Sequence, residues 1–278
     1  MTLLPVVVAA MLASGSPAAD PPSSSSPWKV VSIREPRAGE VPFETTTNYL
    51  RIPEGRNYCP GPDSLVAQVT IEKRRGYLEL VNTRTQVTTR LMSFASLPAW
   101  SPDSRFLSCS AWTPERRMGK LTVIDVASRK EIADVKIAVG NDSKWSPDSR
   151  MIAADGTSYI HSKTVLYVLS IASNAVTVID SLDVIGSYEF SWSPDSRWIA
   201  FSRPTKTDHW EEPMEADLWI ADASTGDAWR ILQDSGWVMR NPLWVTNESI
   251  EVERSRYAGE GEDPKEHRRV VVDLAPAN

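Results

Sequence analysis

From Trp28 onward the chain alternates short apolar runs with polar turns, and nowhere do apolar residues recur at the three- and four-residue spacing of an amphipathic helix. Trp198-Ile199-Ala200-Phe201 is one such run, followed by a polar stretch. Asp217-Leu218-Trp219-Ile220-Ala221-Asp222 is the next, and a small turn at Ala223-Ser224-Thr225-Gly226 leads to a third, Ala228 to Leu232. Leu121-Thr122-Val123-Ile124-Asp125 and Val165-Leu166-Tyr167-Val168-Leu169 hold the place of Asp217 to Asp222 in two earlier series. The pattern predicts antiparallel meanders and an all-β protein.

Each series opens with the same six residues. Trp100-Ser101-Pro102-Asp103-Ser104-Arg105 returns as Trp145 to Arg150 and as Trp192 to Arg197, the Trp positions stepping by 45 and 47 residues. That is the period of a four-stranded propeller blade. The hexapeptide reads as a turn: Pro fixes φ at the second turn position, Asp accepts from backbone N–H groups just ahead of it, and Ser ends the turn. With the strand that carries the Trp, each repeat holds four strands.

The motif resembles the Trp-Ser-Pro-Asp-Gly repeat of TolB-type β-propellers, relatives of the Trp-Asp repeat family, and the resemblance covers most of the chain. It implies a β-propeller of four-stranded blades. Two weaker copies flank the three good ones. Cys59-Pro60-Gly61-Pro62-Asp63-Ser64 keeps the Pro-Asp-Ser turn, with Pro60 in the place of Trp; Trp244-Val245-Thr246-Asn247-Glu248-Ser249 keeps Trp and puts Asn for Asp. All three good copies carry Ser where the family has Gly. If that position is left-handed, Ser costs roughly 1 kcal/mol against Gly.

Repeats begin near Arg56, Leu97, Asp142, Tyr188 and Arg240. The last runs short: after Ile250 to Arg254 and Arg268 to Leu274 no fourth strand remains. Trp28 to Ile33, apolar and partly β-branched, is assigned to that vacancy, which removes two sheet edges at once. The count is five blades closed by an N-terminal strand. Thr45 to Ile52 is left over, as a cap or the start of a sixth blade. The propeller then spans 28–278 as one domain. Before it, Leu3 to Ala13 and the small residues Ser14 to Ala19 read as a signal peptide over 1–19, with a Ser/Pro-rich lead-in over 20–27. A periplasmic or secreted location follows as an expectation. No stretch is a candidate membrane span.

The formal net charge of −6 argues against nucleic acid as a general partner. Eleven Trp is high, and the motif Trp residues are expected between blades. Cys59 and Cys109 fall on adjacent repeats, and spacing leaves both a disulfide and two buried thiols open.

Function is expected on the longer loops between second and third strands: Trp112 to Gly119, Asp155 to Lys163, Arg203 to Glu215 and Arg256 to His267. Asp208, His209, Trp210, Glu211 and Glu212, with Glu262 and Glu266, form the expected binding set. Acidic loops around a Trp suit a protein or peptide partner, a basic one by charge, bound by a monomeric scaffold. All three histidines, His161, His209 and His267, lie in these loops, and a metal site among them is the lesser reading because no pair shows ligand spacing. No cofactor is implied. Asp142 and Glu189, three residues before their motif Trp, raise the alternative of a glycosidase-like enzyme. Its two carboxyls would stand about 5–5.5 Å apart for retention or about 6.5–9.5 Å for inversion. No nucleophile elbow or phosphate-binding loop is present.

Overall fold

A computed structural model of the chain describes residues 25–40, 56–61, 65–73, 75–112, 119–135, 143–158, 163–183, 187–208, 213–257 and 264–277. Among these every regular element is a strand. The first is β1 (Trp28–Arg34). Then come β2 (Arg56–Tyr58), β3 (Leu65–Glu72), β4 (Arg75–Asn82) and β5 (Thr88–Ser93), an antiparallel sheet in chain order. The next sheet holds β6 (Ala95–Trp100), β7 (Phe106–Trp112), β8 (Gly119–Asp125) and β9 (Lys130–Val135). A third holds β10 (Ser143–Trp145), β11 (Met151–Ser158), β12 (Lys163–Ser170) and β13 (Val176–Leu182).

The remaining strands are β14 (Phe190–Trp192), β15 (Trp198–Thr207), β16 (Pro213–Asp222), β17 (Ala228–Leu232), β18 (Val238–Thr246), β19 (Ser249–Tyr257) and β20 (Pro264–Pro276). They join β1 in one eight-stranded sheet. It is two meanders, β14 to β17 and β18 to β20 with β1, linked by a single parallel bridge at Ala216 and Val238. β1 pairs antiparallel with β20 from Trp28↔Pro276 to Arg34↔Val271 and lies at the end of this sheet. Thr45 to Ile52 and the segment before residue 25 lie outside the described residues.

Contacts divide the chain into two compact units, one built around residues 45–161 and 167–176, the other around 16–44, 162–166 and 177–278. In the first, Ala67, Leu78, Leu80, Trp100, Leu107 and Cys109 form a buried cluster. In the second, Trp198, Leu218, Trp244, Val252 and Val272 do so, with Trp28 of β1 packed against them. Trp28 meets Trp198 edge-on at 5.6 Å, and Trp198 meets Trp229 at 6.2 Å. Burying this much aromatic surface is what ties β1 to the unit.

The motif turns close as the residue types require. Ser101 Oγ donates to Asp103 Oδ1 (2.6 Å) and accepts from Phe106 N (2.9 Å), while Asp103 Oδ1 accepts from Arg105 N (3.0 Å). Ser146 and Asp148, and Ser193 and Asp195, repeat the arrangement. The serines after Asp are left-handed: φ is 65° at Ser104, 63° at Ser149 and 64° at Ser196. The motif Trp side chains are buried, Trp100, Trp145 and Trp244 completely. Trp145 stacks on Phe106 at 5.9 Å, and its indole N–H donates to Ser108 Oγ and Ala99 O of the preceding sheet.

The first, weak repeat is set differently from its sequence alignment. Tyr58 pairs with Val66 as Trp100 pairs with Leu107, so Tyr58 and not Pro60 holds the Trp position. The turn that follows is one residue longer: Cys59 N bonds Leu65 O, where Ser101 N bonds Phe106 O. The extra residue shifts the whole motif in that repeat.

Candidate functional site

The long hairpin of the second unit is a two-stranded ribbon over its described residues. β15 and β16 each run 10 residues and stay paired from Trp198↔Asp222 out to Thr207↔Pro213. β19 and β20, 9 and 13 residues long, pair out to Tyr257↔Pro264. Most of the stretch expected as loop over Arg203 to Glu215, and both ends of that over Arg256 to His267, are therefore strand. Their polar composition hid this. Their buried positions include Asp217 and Ser255, so the outer parts of these strands carry no apolar alternation.

A ladder of side chains braces the base of the β15–β16 ribbon. Tyr188 Oη donates to Asp180 Oδ2 (2.9 Å), and Arg203 Nε donates to the same oxygen (2.8 Å). Arg203 lies over the Trp219 ring at 5.1 Å and opposite Asp217 across the strands. Asp217, 4% exposed, faces Arg230 at 3.5 Å. Burial holds the Asp180 carboxyl above the ordinary aspartate range, outweighing Arg203 and Tyr188, and raises Asp217 likewise against Arg230. Nothing in the sequence marked this ladder, because its members come from four separate stretches.

The second ribbon is held by ion pairs and by a Ser–His contact. Arg254 pairs with Asp234 and covers the Trp237 ring, and Arg269 pairs with the buried Glu251. Ser255 and His267 are cross-strand partners, with Ser255 Oγ 3.0 Å from His267 Nδ1. Ser255 is buried, so the pair is a sheet contact and not an accessible nucleophile.

Of the expected binding set, Asp208 follows β15 directly, and Glu266 lies on β20, where it pairs with Arg268 at 3.0 Å. His209, Trp210, Glu211, Glu212 and Glu262 lie outside the described residues, as do His161 and Asp142. His267, the one described histidine, is exposed on β20. Among the described residues no group of three His, Cys, Asp or Glu is placed to hold a metal.

Glu189 stands just before β14. Its Oε2 accepts from Asn241 N (2.8 Å), and Asn241 Nδ2 donates to Glu253 (2.8 Å). Asn241 is left-handed, at φ 47°, in a bulge of β18 between Arg240 and Leu243. Asn241-Pro242 inside a strand is the sequence signal for that bulge, since Pro cannot donate to a ladder. Glu189 thus holds the bulge from the neighbouring repeat.

The two cysteines are unbonded. Cys109 is buried, 4.0 Å from the Met92 sulfur, and burial pushes its thiol up to about 12. Cys59 packs at the margin of the same cluster.

No protein-family model matches the chain. A comparison with curated proteins finds no match either. Solved structures do match. The β-propeller domain of the Trilobed protease from Pyrococcus furiosus is 17% identical with a TM-score of 0.52, over 76% of this chain and 65% of that one. The tricorn protease is 12% identical with a TM-score of 0.50, over 85% of this chain and 29% of that one. TolB from Acinetobacter baumannii, at 16% identity over 79% of this chain and 53% of that one, has a TM-score of 0.43, too low to argue from. The chain spans less than two thirds of the length of each. At such identities the likeness is one of fold: all-β, built of four-stranded sheets, and that of a β-propeller domain.

Proposed function

We propose that the chain is a five-bladed propeller of the TolB-like kind, its ring completed by β1, that binds a protein or peptide partner through the loops at the ends of β15–β16 and β19–β20. The observation that carries this reading is the pair of ribbons themselves. They are longer than the corresponding hairpin of β7 and β8, 7 residues each, and both are braced at the base by side-chain ladders. A rigid stem that ends in a variable tip is how frames present recognition loops. The tips carry Trp210, Glu211 and Glu212 in one loop and Glu260, Glu262 and Asp263 in the other. An apolar anchor among carboxylates suits a basic partner. Export rests on the apolar run Leu3 to Ala13 alone. Among the described residues no helix is long and apolar enough to cross a membrane.

The experiment is capture of partners from the native envelope by the full chain and by a variant carrying Trp210→Ala, Glu211→Gln and Glu212→Gln. The reading expects one dominant basic partner that the variant loses, with an unchanged melting curve, since exposed loop changes usually stay within about 0.5 kcal/mol. Equal capture by both proteins would overturn it.

A further inference from the structure

We propose that the turn edge of the first unit is a docking surface for an acidic polypeptide segment with apolar residues. The turns that make this edge are tied together. Asp103 N donates to Ser149 Oγ (3.0 Å), and Val126 N to Arg105 O (3.0 Å). The turn at Gly61 abuts Ser104. Leu65 pairs with Asn82, which brings the turn after β4 to the same edge.

Five exposed cations stand along it: Arg84, Arg105, Arg129, Lys130 and Arg150. Its described carboxylates are engaged within their own turns. Asp103 and Asp148 each accept from their own turn's serine and arginine N–H, and Asp125 accepts from Ser128 N (2.8 Å). The edge therefore presents guanidinium and ammonium groups to solvent on a chain whose net charge is −6.

Comparison of the three motif arginines isolates one of them. Arg105 is 3.7 Å from Asp125 at the end of the third strand and lies over Phe106 at 4.9 Å. Arg197 is 3.4 Å from Asp222 and lies over Trp198 at 4.6 Å. At Arg150 both anchors are replaced. Ile171 N bonds Arg150 O as Val126 N bonds Arg105 O, so Ser170 holds the place of Asp125, and the next residue is Met151. The Arg150 side chain is 84% exposed, its ion contact being Asp148 of its own turn at 3.9 Å. An arginine without the strand-end carboxylate, held among the described residues only by this long contact, keeps its fork for another one.

Val87, 58% exposed, sits in the turn beside Arg84 and gives the surface an apolar point. A polypeptide uses both features. A single-stranded nucleic acid wants exposed aromatic faces, and among the described residues no exposed large hydrophobic is aromatic.

The test is fluorescence anisotropy of a labelled peptide of alternating glutamate and leucine, titrated with the full chain at low and moderate salt. A glutamine–leucine peptide and an oligonucleotide of matched charge run alongside. The proposal expects the acidic peptide to bind, to weaken with salt, and to weaken about tenfold in Arg105→Glu/Arg150→Glu while the melting curve holds. Arg268→Glu, on β20, should leave it unchanged. Should the double variant fail to fold, Arg150→Gln alone is expected to weaken binding in the same direction. Absence of binding by the unmodified chain, indifference to charge reversal, equal binding of the glutamine peptide, or tighter binding of the oligonucleotide would overturn it. None of these arms touches residues 209–212, so the result is independent of the long-loop reading.

Discussion

Ser149 holds a left-handed backbone that glycine would adopt without strain, and its hydroxyl explains why it is serine. The oxygen accepts the N–H of Asp103 in the neighbouring turn. In the last turn Asn247 supplies its side-chain oxygen to Asp195 N instead (3.0 Å). Ser104 has the same backbone, but its buried hydroxyl finds no partner among the described residues. The two positions should respond differently to the same change. Ser104→Gly relieves strain and should stabilise by roughly 1 kcal/mol. Ser149→Gly loses a bond of about 1 kcal/mol while relieving that strain, and should be near neutral; Ser149→Ala, which keeps the strain, should destabilise by about 1–2 kcal/mol. Urea unfolding of the three variants decides this, and equal stabilisation by both glycines would mean that the Ser149 bond contributes nothing. Trp145→Ala, emptying the space between Phe106 and Ser108, should cost roughly 3–5 kcal/mol. The two thiols should also separate: Cys109, protonated and buried, should react with a thiol reagent only on unfolding, with Cys59 ahead of it.

At the scale of elements, two networks have opposite dependence on pH. Arg34 of β1 donates to both Glu40 and Asp273. The hydrogen bonds from Arg34 hold Glu40 down at about 2 against its usual 4.5. Burial alone would push Asp273 up, but Ser32 and Arg34 hold it low. Both folded-state values are depressed, so this latch contributes fully at neutral pH and is lost as pH falls toward 2. At the β15–β16 stem the sign is reversed. Asp180 and Asp217 are raised, so folding binds protons there and stability declines as pH rises through their folded values. Arg34→Gln should therefore flatten the acid limb of a stability–pH curve, and Asp217→Asn should flatten the decline above it. Denaturant midpoints across pH check both, and an unchanged acid limb in Arg34→Gln would contradict the latch.

The strands with one buried face were legible in advance because alternation and the Trp-led turn marked them: Ala228 to Leu232 runs between the same residues in sequence and structure. The ribbon ends were not. Arg256, Glu266 and His267 read as loop because no core selects their faces, yet all three are paired strand residues. The first repeat slipped in register because alignment on Pro-Asp-Ser could not see an inserted turn residue. The stem ladder was illegible for a further reason. Asp180, Tyr188, Arg203 and Asp217 converge only after neighbouring sheets stack, and nothing local in their stretches announces a partner.

For the molecule as a whole the account depends on β1. β1 is the first described strand, yet it pairs with the last, β20, and its Trp28 packs against the second unit's core. If β1 completes a ring of five blades, it covers the outer edge of β20 and the strands of the last blade open together. Hydrogen exchange of the full chain, read by mass spectrometry peptide by peptide, tests this most directly. The account predicts that residues 28–34 exchange as slowly as β19 and β20 and that all three regions gain exchange together as denaturant is raised. Exchange of residues 28–34 at the rate of an exposed loop, with β18 to β20 still protected, would contradict it.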